Sequence, residues 1–207
     1  MAGPDIQFWQ QRFLSGETPW DRGEASRQLR AWIDAGELSP CRILVPGCGT
    51  GHEVVLLAAR GFEVTAIDYA PAAVARTRER LAEAGLTVQL HEADALTWQP
   101  AQAFDAVYEQ TCLCAIHPDL WSAYAAQLQR WLRPGGALFL LMAQVAQPRS
   151  AAGFIDGPPY HCDVNAVRAL LPAPAWQWPR PPYARVDHPR IPNLFELAVK
   201  LGRERQP

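Results

Sequence analysis

The sequence predicts an α/β fold: a doubly wound, mostly parallel sheet with helices on both faces. Three observations carry this. Apolar strand-like runs alternate with helical patterns over residues 41–142, which implies parallel strands joined by helical crossovers. The first run, Ile43-Leu44-Val45, leads into three alternating glycines, Gly47, Gly49 and Gly51, and then a helical stretch. The second run, Val64-Thr65-Ala66-Ile67, ends in an acid, Asp68.

Residues 1–40 are rich in Trp, Gln and Arg and read as helix, loop, helix. The loop Ser15-Gly16-Glu17-Thr18-Pro19-Trp20-Asp21-Arg22-Gly23 is dense in turn formers. The second helix puts Leu29, Trp32 and Ile33 on one face. Strands follow at Arg42–Val45, Glu63–Ile67, Thr87–Glu92, Phe104–Gln110 and Gly136–Met142. A helix His52–Arg60 follows the glycine turn, and Pro71–Ala84 begins with a proline suited to a first helical turn. Pro118–Leu132 places Trp121, Tyr124, Leu128, Trp131 and Leu132 on one stripe, and Pro134-Gly135-Gly136 ends it. Residues 143–207 change character. Asp163–Leu171 reads as one short helix, seven prolines between Pro172 and Pro192 exclude a long one, and Asn193–Leu201 reads as a last strand. The chain reads as one domain, 1–207: N-terminal helices and lid at 1–40, a nucleoside-binding core at 41–142, and an acceptor-side loop with the last strands at 143–207.

At 207 residues with 49% hydrophobic and 19% charged residues, the chain can bury a full core without disulfides. Lys plus Arg number 19 against 21 for Asp plus Glu, with no basic tract, which argues against a nucleic-acid partner. No apolar run reaches the roughly 20 residues a membrane span requires, and nothing resembles a signal peptide. Five cysteines, an odd number, read as reduced thiols in a cytoplasmic protein.

Glycines at alternate positions let the backbone pass close to a ligand. An ordinary tight turn is the simpler reading, but the placement after a strand and before a helix favours a ligand, as does Asp68 arriving 21 positions after Gly47. A dinucleotide fingerprint would carry G-x-G-x-x-G, whereas this chain has G-x-G-x-G followed by His52 and Glu53. A carboxylate at that helix start repels a pyrophosphate. S-adenosylmethionine carries no phosphate and has a free amino group, so it fits where a dinucleotide does not. Asp94 ends the third strand, where an adenine amino group would lie, and Glu109 ends the fourth, near the methionine end; helix capping and incidental placement are the simpler readings of these two acids. Cys112, Cys114 and nearby His117 invite a metal reading, but a strand would place both thiols on one face, and core packing is favoured over metal. Cys48 reads as a small residue that fits the turn.

The same residues carry a family resemblance. Val45-Pro46-Gly47-Cys48-Gly49-Thr50-Gly51-His52-Glu53 resembles the first motif of the thiopurine methyltransferase family, closest to its halide, thiocyanate and thiol methyltransferase branch. Thr18-Pro19-Trp20-Asp21-Arg22-Gly23 is similar to that branch's Pro-Trp-Asp-x-Gly signature. Cys114-Ala115-Ile116-His117-Pro118 resembles its Cys-Ala-Ile-x-Pro turn, and Gly157-Pro158-Pro159-Tyr160 with Asp163 its Gly-Pro-Pro-Tyr-x-x-Asp segment. The resemblance implies a class I S-adenosylmethionine-dependent methyltransferase, with a Rossmann-like seven-stranded sheet and an N-terminal helical lid. It implies that Trp9, Phe13 and Trp20 fold over the cofactor and that Gly47, with Cys48 and Gly49, meets its methionine part. Asp68 would hold the ribose, and Asp94 and Ala95 would frame the adenine. Gln110 would contact the cofactor from the fourth strand, next to the Glu109 already read there from its strand-end position, and Tyr160 would line the acceptor pocket. Two departures bear on the acceptor. Tyr108-Glu109-Gln110-Thr111 stands where the thiopurine branch has Trp-Asp-Arg-Gly, so its pocket arginine is missing, and Gln110 stands where the plant enzymes carry Tyr.

Together these readings predict methyl transfer from S-adenosylmethionine to a small soft nucleophile, a thiol, thiolate or hydrosulfide, with S-adenosylhomocysteine as product. Tyr160 is expected to orient the acceptor through its hydroxyl. Halide or thiocyanate methylation is an alternative. So is O- or N-methylation of a small metabolite, which needs a base such as His161, Glu109 or Asp21. The expected state is a monomer or weak dimer with no nucleic-acid or membrane partner.

Overall fold

The computed structural model describes residues 3–146, 149 and 155–205. Its elements run α1 (Ile6–Ser15), α2 (Arg27–Asp34), β1 (Arg42–Pro46), α3 (His52–Ala59), β2 (Glu63–Asp68), α4 (Pro71–Glu83), β3 (Gln89–Glu92) and β4 (Phe104–Gln110). They continue with α5 (Cys112–Ala115), a 3-10 turn (Pro118–Leu120), α6 (Trp121–Trp131), β5 (Leu132–Gln144), α7 (Val164–Leu170), β6 (Trp176–Gln177), β7 (Ala184–Asp187) and β8 (Phe195–Arg203).

The strands form one sheet in the order β3-β2-β1-β4-β5-β8-β6, with β7 also pairing β8. β3, β2, β1, β4 and β5 are parallel; β8 is antiparallel to β5, and β6 and β7 are antiparallel to β8. The chain therefore steps outward from β1 on one side and returns beside it at β4. That reversal opens a crevice beyond the carboxyl ends of the strands, where ligands bind in open α/β sheets.

Helices cover both faces. On one, the α6 stripe of Trp121, Tyr124, Leu128 and Trp131 is buried against Phe104, Leu138 and Leu140. On the other, α2 buries Leu29 and Trp32, the indole lying 5.1 Å from the Phe139 ring. The alternating fold thus forms as its pattern predicts, and so does the α6 stripe from Trp121 to Trp131; Leu132, read as its last member, instead starts β5, which runs through Pro134-Gly135-Gly136. Among the described residues, no helix is long and apolar enough to cross a membrane.

Three expectations need correction. The sheet has eight strands rather than seven, because the proline-broken stretch contributes two short antiparallel strands, β6 and β7, that pair with β8. The third strand starts at Gln89, not Thr87. Cys112 and Cys114 lie on a helical turn, not a strand. Thr111 turns the backbone left-handed at φ 66°, and Glu109 Oε1 then accepts from the Leu113 N–H at 2.7 Å, starting α5.

Candidate active site

The glycine turn has the backbone that its residues suggest. Gly47, Gly49 and Gly51 adopt φ of 60°, 56° and 80°, a region that penalises side chains. A Cβ on Gly51 would stand 2.7 Å from Thr77 Oγ1, and one on Gly47 would meet Cys112 at 3.0 Å. Thr77 Oγ1 donates to the Gly49 carbonyl at 2.9 Å, locking the turn to α4. Asp68, at the end of β2, accepts from the Gly49 N–H at 3.0 Å and from the Ala70 N–H at 3.0 Å. Burial outweighs these bonds and pushes its carboxyl up to about 6.

The turn floors a cavity of about 690 Å³, within the range of small-molecule and cofactor sites. Gly47, Cys48, Gly49 and Asp68 form its floor, Asp94 and Ala95 one side, and Gln110 the β4 side. Asp94 is exposed and caps its own turn, accepting from Leu96 N–H at 2.8 Å. Trp9, Phe13 and Trp20 roof the cavity. The Trp20 ring meets Trp9 at 5.4 Å and Phe13 at 5.9 Å, both edge-on.

The lid is tied down on both sides. Asp21 accepts from Thr50 Oγ1 at 2.8 Å and from the Gly23 N–H at 2.7 Å, and pairs with His52 Nε2 at 3.1 Å. The His52 bond leads in holding its carboxyl well below the usual range. Opposite, His188 Nδ1 accepts from the Arg190 and Ile191 N–H groups at 3.2 and 3.0 Å. Neutral His188 must therefore carry its proton on Nε2, which donates to the Trp20 carbonyl at 3.2 Å. Arg190 Nη1 donates to the Asp21 carbonyl at 2.9 Å.

A polar network occupies the β4–β8 side of the cavity. Tyr108 Oη donates to Gln110 Oε1 at 2.5 Å, Gln110 Nε2 donates to both Glu196 oxygens at 3.1 and 3.0 Å, and Arg22 Nη2 pairs with Glu196 Oε2 at 2.7 Å. Glu53 also reaches the wall, but its Oε1 accepts from the Ser26 N–H at 2.9 Å, anchoring the start of α2. Burial raises its carboxyl above the usual range.

Two expected site residues lie elsewhere. Glu109 is fully buried behind the sheet and does not line the cavity; Tyr108 and Gln110 take the cavity face, and strand alternation sends Glu109 to the other. Tyr160 is 4% exposed and is packed in the α6-side core, outside the cavity wall, with its ring 5.3 Å from His117. Its N–H donates to the Cys114 carbonyl at 2.7 Å, so it holds a wall segment rather than forming one. His161 is also off the wall; its Nδ1 accepts from the Val145 N–H at 3.2 Å. Cys112 and Cys114 do reach the cavity, and burial holds both thiols protonated.

Sequence reasoning missed His188, Ile191, Leu194 and Glu196, all on the wall. Glu196 had a signal: it is the one charge in the apolar run Leu194-Phe195-Glu196-Leu197-Ala198-Val199. His188 had none, because its part depends on a contact with Trp20, 168 positions away.

The residues suit S-adenosylmethionine. The glycine floor leaves room against the backbone, Asp68 and Asp94 bring carboxylates to the wall that can accept from hydroxyl or amino groups, and the roof offers aromatic faces to a sulfonium. Asp21 and Glu53 beside the α3 start disfavour a pyrophosphate there.

Comparison with known proteins points the same way. A family model described as thiopurine S-methyltransferase (TPMT) matches residues 4–191. The chain is 34% identical over 166 residues to probable thiol methyltransferase 2 of Arabidopsis thaliana, covering 79% of this chain and 70% of that one. It is 31% identical over 165 residues to thiocyanate methyltransferase 1 of the same plant, with the same coverage. In fold, it matches the Burkholderia thailandensis 1,6-didemethyltoxoflavin-N1-methyltransferase, crystallised with its substrate and S-adenosylhomocysteine. That match has a TM-score of 0.73 at 20% identity over 96% of this chain and 87% of that one.

Proposed function

The chain belongs to the thiopurine S-methyltransferase family, and from that premise we propose that its acceptor is a small thiol or hydrosulfide. The protein is an S-adenosylmethionine-dependent S-methyltransferase of the class I fold. When bound, S-adenosylmethionine supplies a methyl group on a sulfonium, with a neutral thioether as leaving group.

The chain's residues have binding and alignment to perform. Gly47, Cys48 and Gly49 would hold the methionine part, Asp68 the ribose, and Asp94 with Ala95 the adenine. Trp9, Phe13 and Trp20 would close over the sulfonium, and Gln110 would border the reacting end. Closed over the cofactor, the roof would exclude water, which favours a soft nucleophile whose charge is neutralised as the new bond forms. Tyr160 acts by position, holding the Cys114 segment.

The observation that carries the acceptor class is the state of Gln110. It stands where the thiopurine branch has its pocket arginine, and its amide is held at both ends by Tyr108 and Glu196. Gln110 itself offers no cation to a heterocyclic thiol, and the neighbouring Arg22 guanidinium is paired with Glu196. We infer a single-domain cytoplasmic enzyme with reduced thiols, monomeric or a weak dimer, acting on a free small molecule rather than a nucleic acid or membrane.

A screen with methyl-labelled S-adenosylmethionine tests this, using alkane thiols, hydrosulfide, thiocyanate, iodide and thiopurines. Turnover of thiols and hydrosulfide well above the others is the expected result. Turnover confined to iodide, thiocyanate or thiopurines would overturn the acceptor assignment.

A further inference from the structure

We propose that Glu196 is the general base of this site, taking the S–H proton of a neutral thiol acceptor, with Arg22 and Gln110 positioning it. The inference rests on the thiol reading above and narrows it to acceptors that arrive protonated: alkane thiols and hydrogen sulfide rather than pre-ionised anions.

Topology sets the location. The carboxyl ends of β1 and β2 and the turn after β3 carry the groups suited to a nucleoside. Across the reversal, the ends of β4 and β5 and the start of β8 bring Gln110, Ala143 and Glu196 to the other half of the wall, with Leu194 and Ile191 beside them. Glu196 is thus a buried carboxylate at the acceptor half, 2% exposed.

Several other titratable wall groups are engaged or lie elsewhere. Asp21 is held ionised by His52, and His52 turns Nε2 to Asp21. Asp68 accepts a backbone N–H on each oxygen and stands at the end of β2, on the nucleoside half of the wall. Glu53 caps Ser26 from the α3 side. His188 uses both ring nitrogens. Asp94 and His117, the latter accepting from Asp119 N–H at 3.3 Å, lie beside the nucleoside half and the N-terminal segment.

Glu196 has capacity left. A carboxylate offers about four acceptor sites, and Gln110 Nε2 and Arg22 Nη2 make three contacts with it. The free capacity is on Oε1, which only Gln110 touches. Facing it are Arg22 from the lid loop, Tyr108 and Gln110 from β4, and Glu53 from α3, with Glu109 behind the sheet. Burial raises Glu196 above the usual carboxylate range while Arg22 and Gln110 pull it back. That brings it nearer to a neutral thiol, which for a cysteine side chain lies at about 8.5 and for a simple alkane thiol higher, and so improves proton transfer.

The step balances. The S–H bond breaks, its proton goes to Glu196 Oε1, and its electron pair stays on sulfur. That pair forms the new S–C bond, and the pair of the broken C–S bond leaves with the departing thioether. The proton then passes to solvent, one per turnover.

Glu196→Gln keeps the shape and removes the base. The expected loss in kcat/KM is on the order of 100-fold for an alkane thiol and much smaller for an aromatic thiol already ionised at the assay pH. The ascending limb of the alkane-thiol pH profile should disappear. A readout independent of turnover uses the complex with S-adenosylhomocysteine. Wild-type protein should bind an alkane thiol with thiolate ultraviolet absorption and no net proton release in calorimetry, and the variant should show no thiolate band. Equal losses for both thiols, or an unchanged pH profile, would overturn the proposal. If wild-type protein methylates no thiol, the acceptor reading fails instead. If the variant does not fold, the wild-type protein decides: alkane and pre-ionised thiols sharing one pH profile would overturn the base.

Discussion

At the scale of the residue, Glu109 shows most plainly how neighbours set chemistry. Its Oε2 is buried near the Tyr124 hydroxyl with no well-formed hydrogen bond among the described residues, and desolvation pushes its carboxyl up to about 8. The folded state therefore binds its proton more tightly than the unfolded chain does, near 4.5. Its contribution to stability is full below about 4.5 and is lost as pH rises through about 8. Glu109→Gln should leave stability unchanged at about pH 4 and raise it by a few kcal/mol at about pH 9, read by urea unfolding at both. A second residue test concerns the turn. Gly51→Ala places a methyl at φ 80° against Thr77, and should cost roughly 2 kcal/mol or more. A melting temperature unchanged from wild type would show that the turn yields. The glycines and Asp68 were legible because a strand–turn–helix leaves a backbone ligand few other places. Glu109 was misplaced although alternation alone separates it from Gln110: two successive strand residues cannot both face one cavity.

Among the elements, the N-terminal segment that roofs the cavity is the one expected to depend most on a ligand for its order. α1 contributes one fully buried side chain, Phe13, and rests on α4 through that ring and Arg76 Nη2 to the Phe13 carbonyl at 2.6 Å. Side-chain and loop contacts rather than sheet pairing hold it, so its amides should exchange faster than those of β1 or β4. Adding S-adenosylhomocysteine should slow exchange across residues 6–23 and leave the sheet unchanged; equal exchange with and without it would remove the lid role. Asp21→Asn removes the charge facing His52 while leaving a carbonyl for Thr50 or Gly23. It should weaken S-adenosylhomocysteine binding roughly tenfold, the worth of one charge-assisted bond, as measured by calorimetry. The α6 stripe was legible because four large apolar residues, Trp121, Tyr124, Leu128 and Trp131, recur at helical spacing. α5 was not, because a four-residue helix has no period to read and begins only where Thr111 turns left-handed.

For the whole molecule, binding at a crevice between two halves of one sheet couples ligand to global stability. S-adenosylhomocysteine at about 100 times its Kd should add about 2.7 kcal/mol, a rise of roughly 5–10 °C in melting temperature for a chain of this size. A nicotinamide dinucleotide at the same concentration should not raise it, and an equal rise would reopen the choice of cofactor. Alternating strands and helices determined the parallel sheet and its reversal, and the glycine spacing, Asp68 and the motif around Trp20 determined the nucleoside half. These are local patterns, in which each residue's role is set by neighbours a few positions away. Only the tertiary structure decided the other half. Arg22 meets Glu196 across 174 positions and Trp20 meets His188 across 168. The return of β8 beside β5 places a carboxylate from the far end of the chain against the lid. Long-range pairing of this kind leaves no spacing in the sequence, because it is fixed by which strand lies beside which, not by which residue follows which.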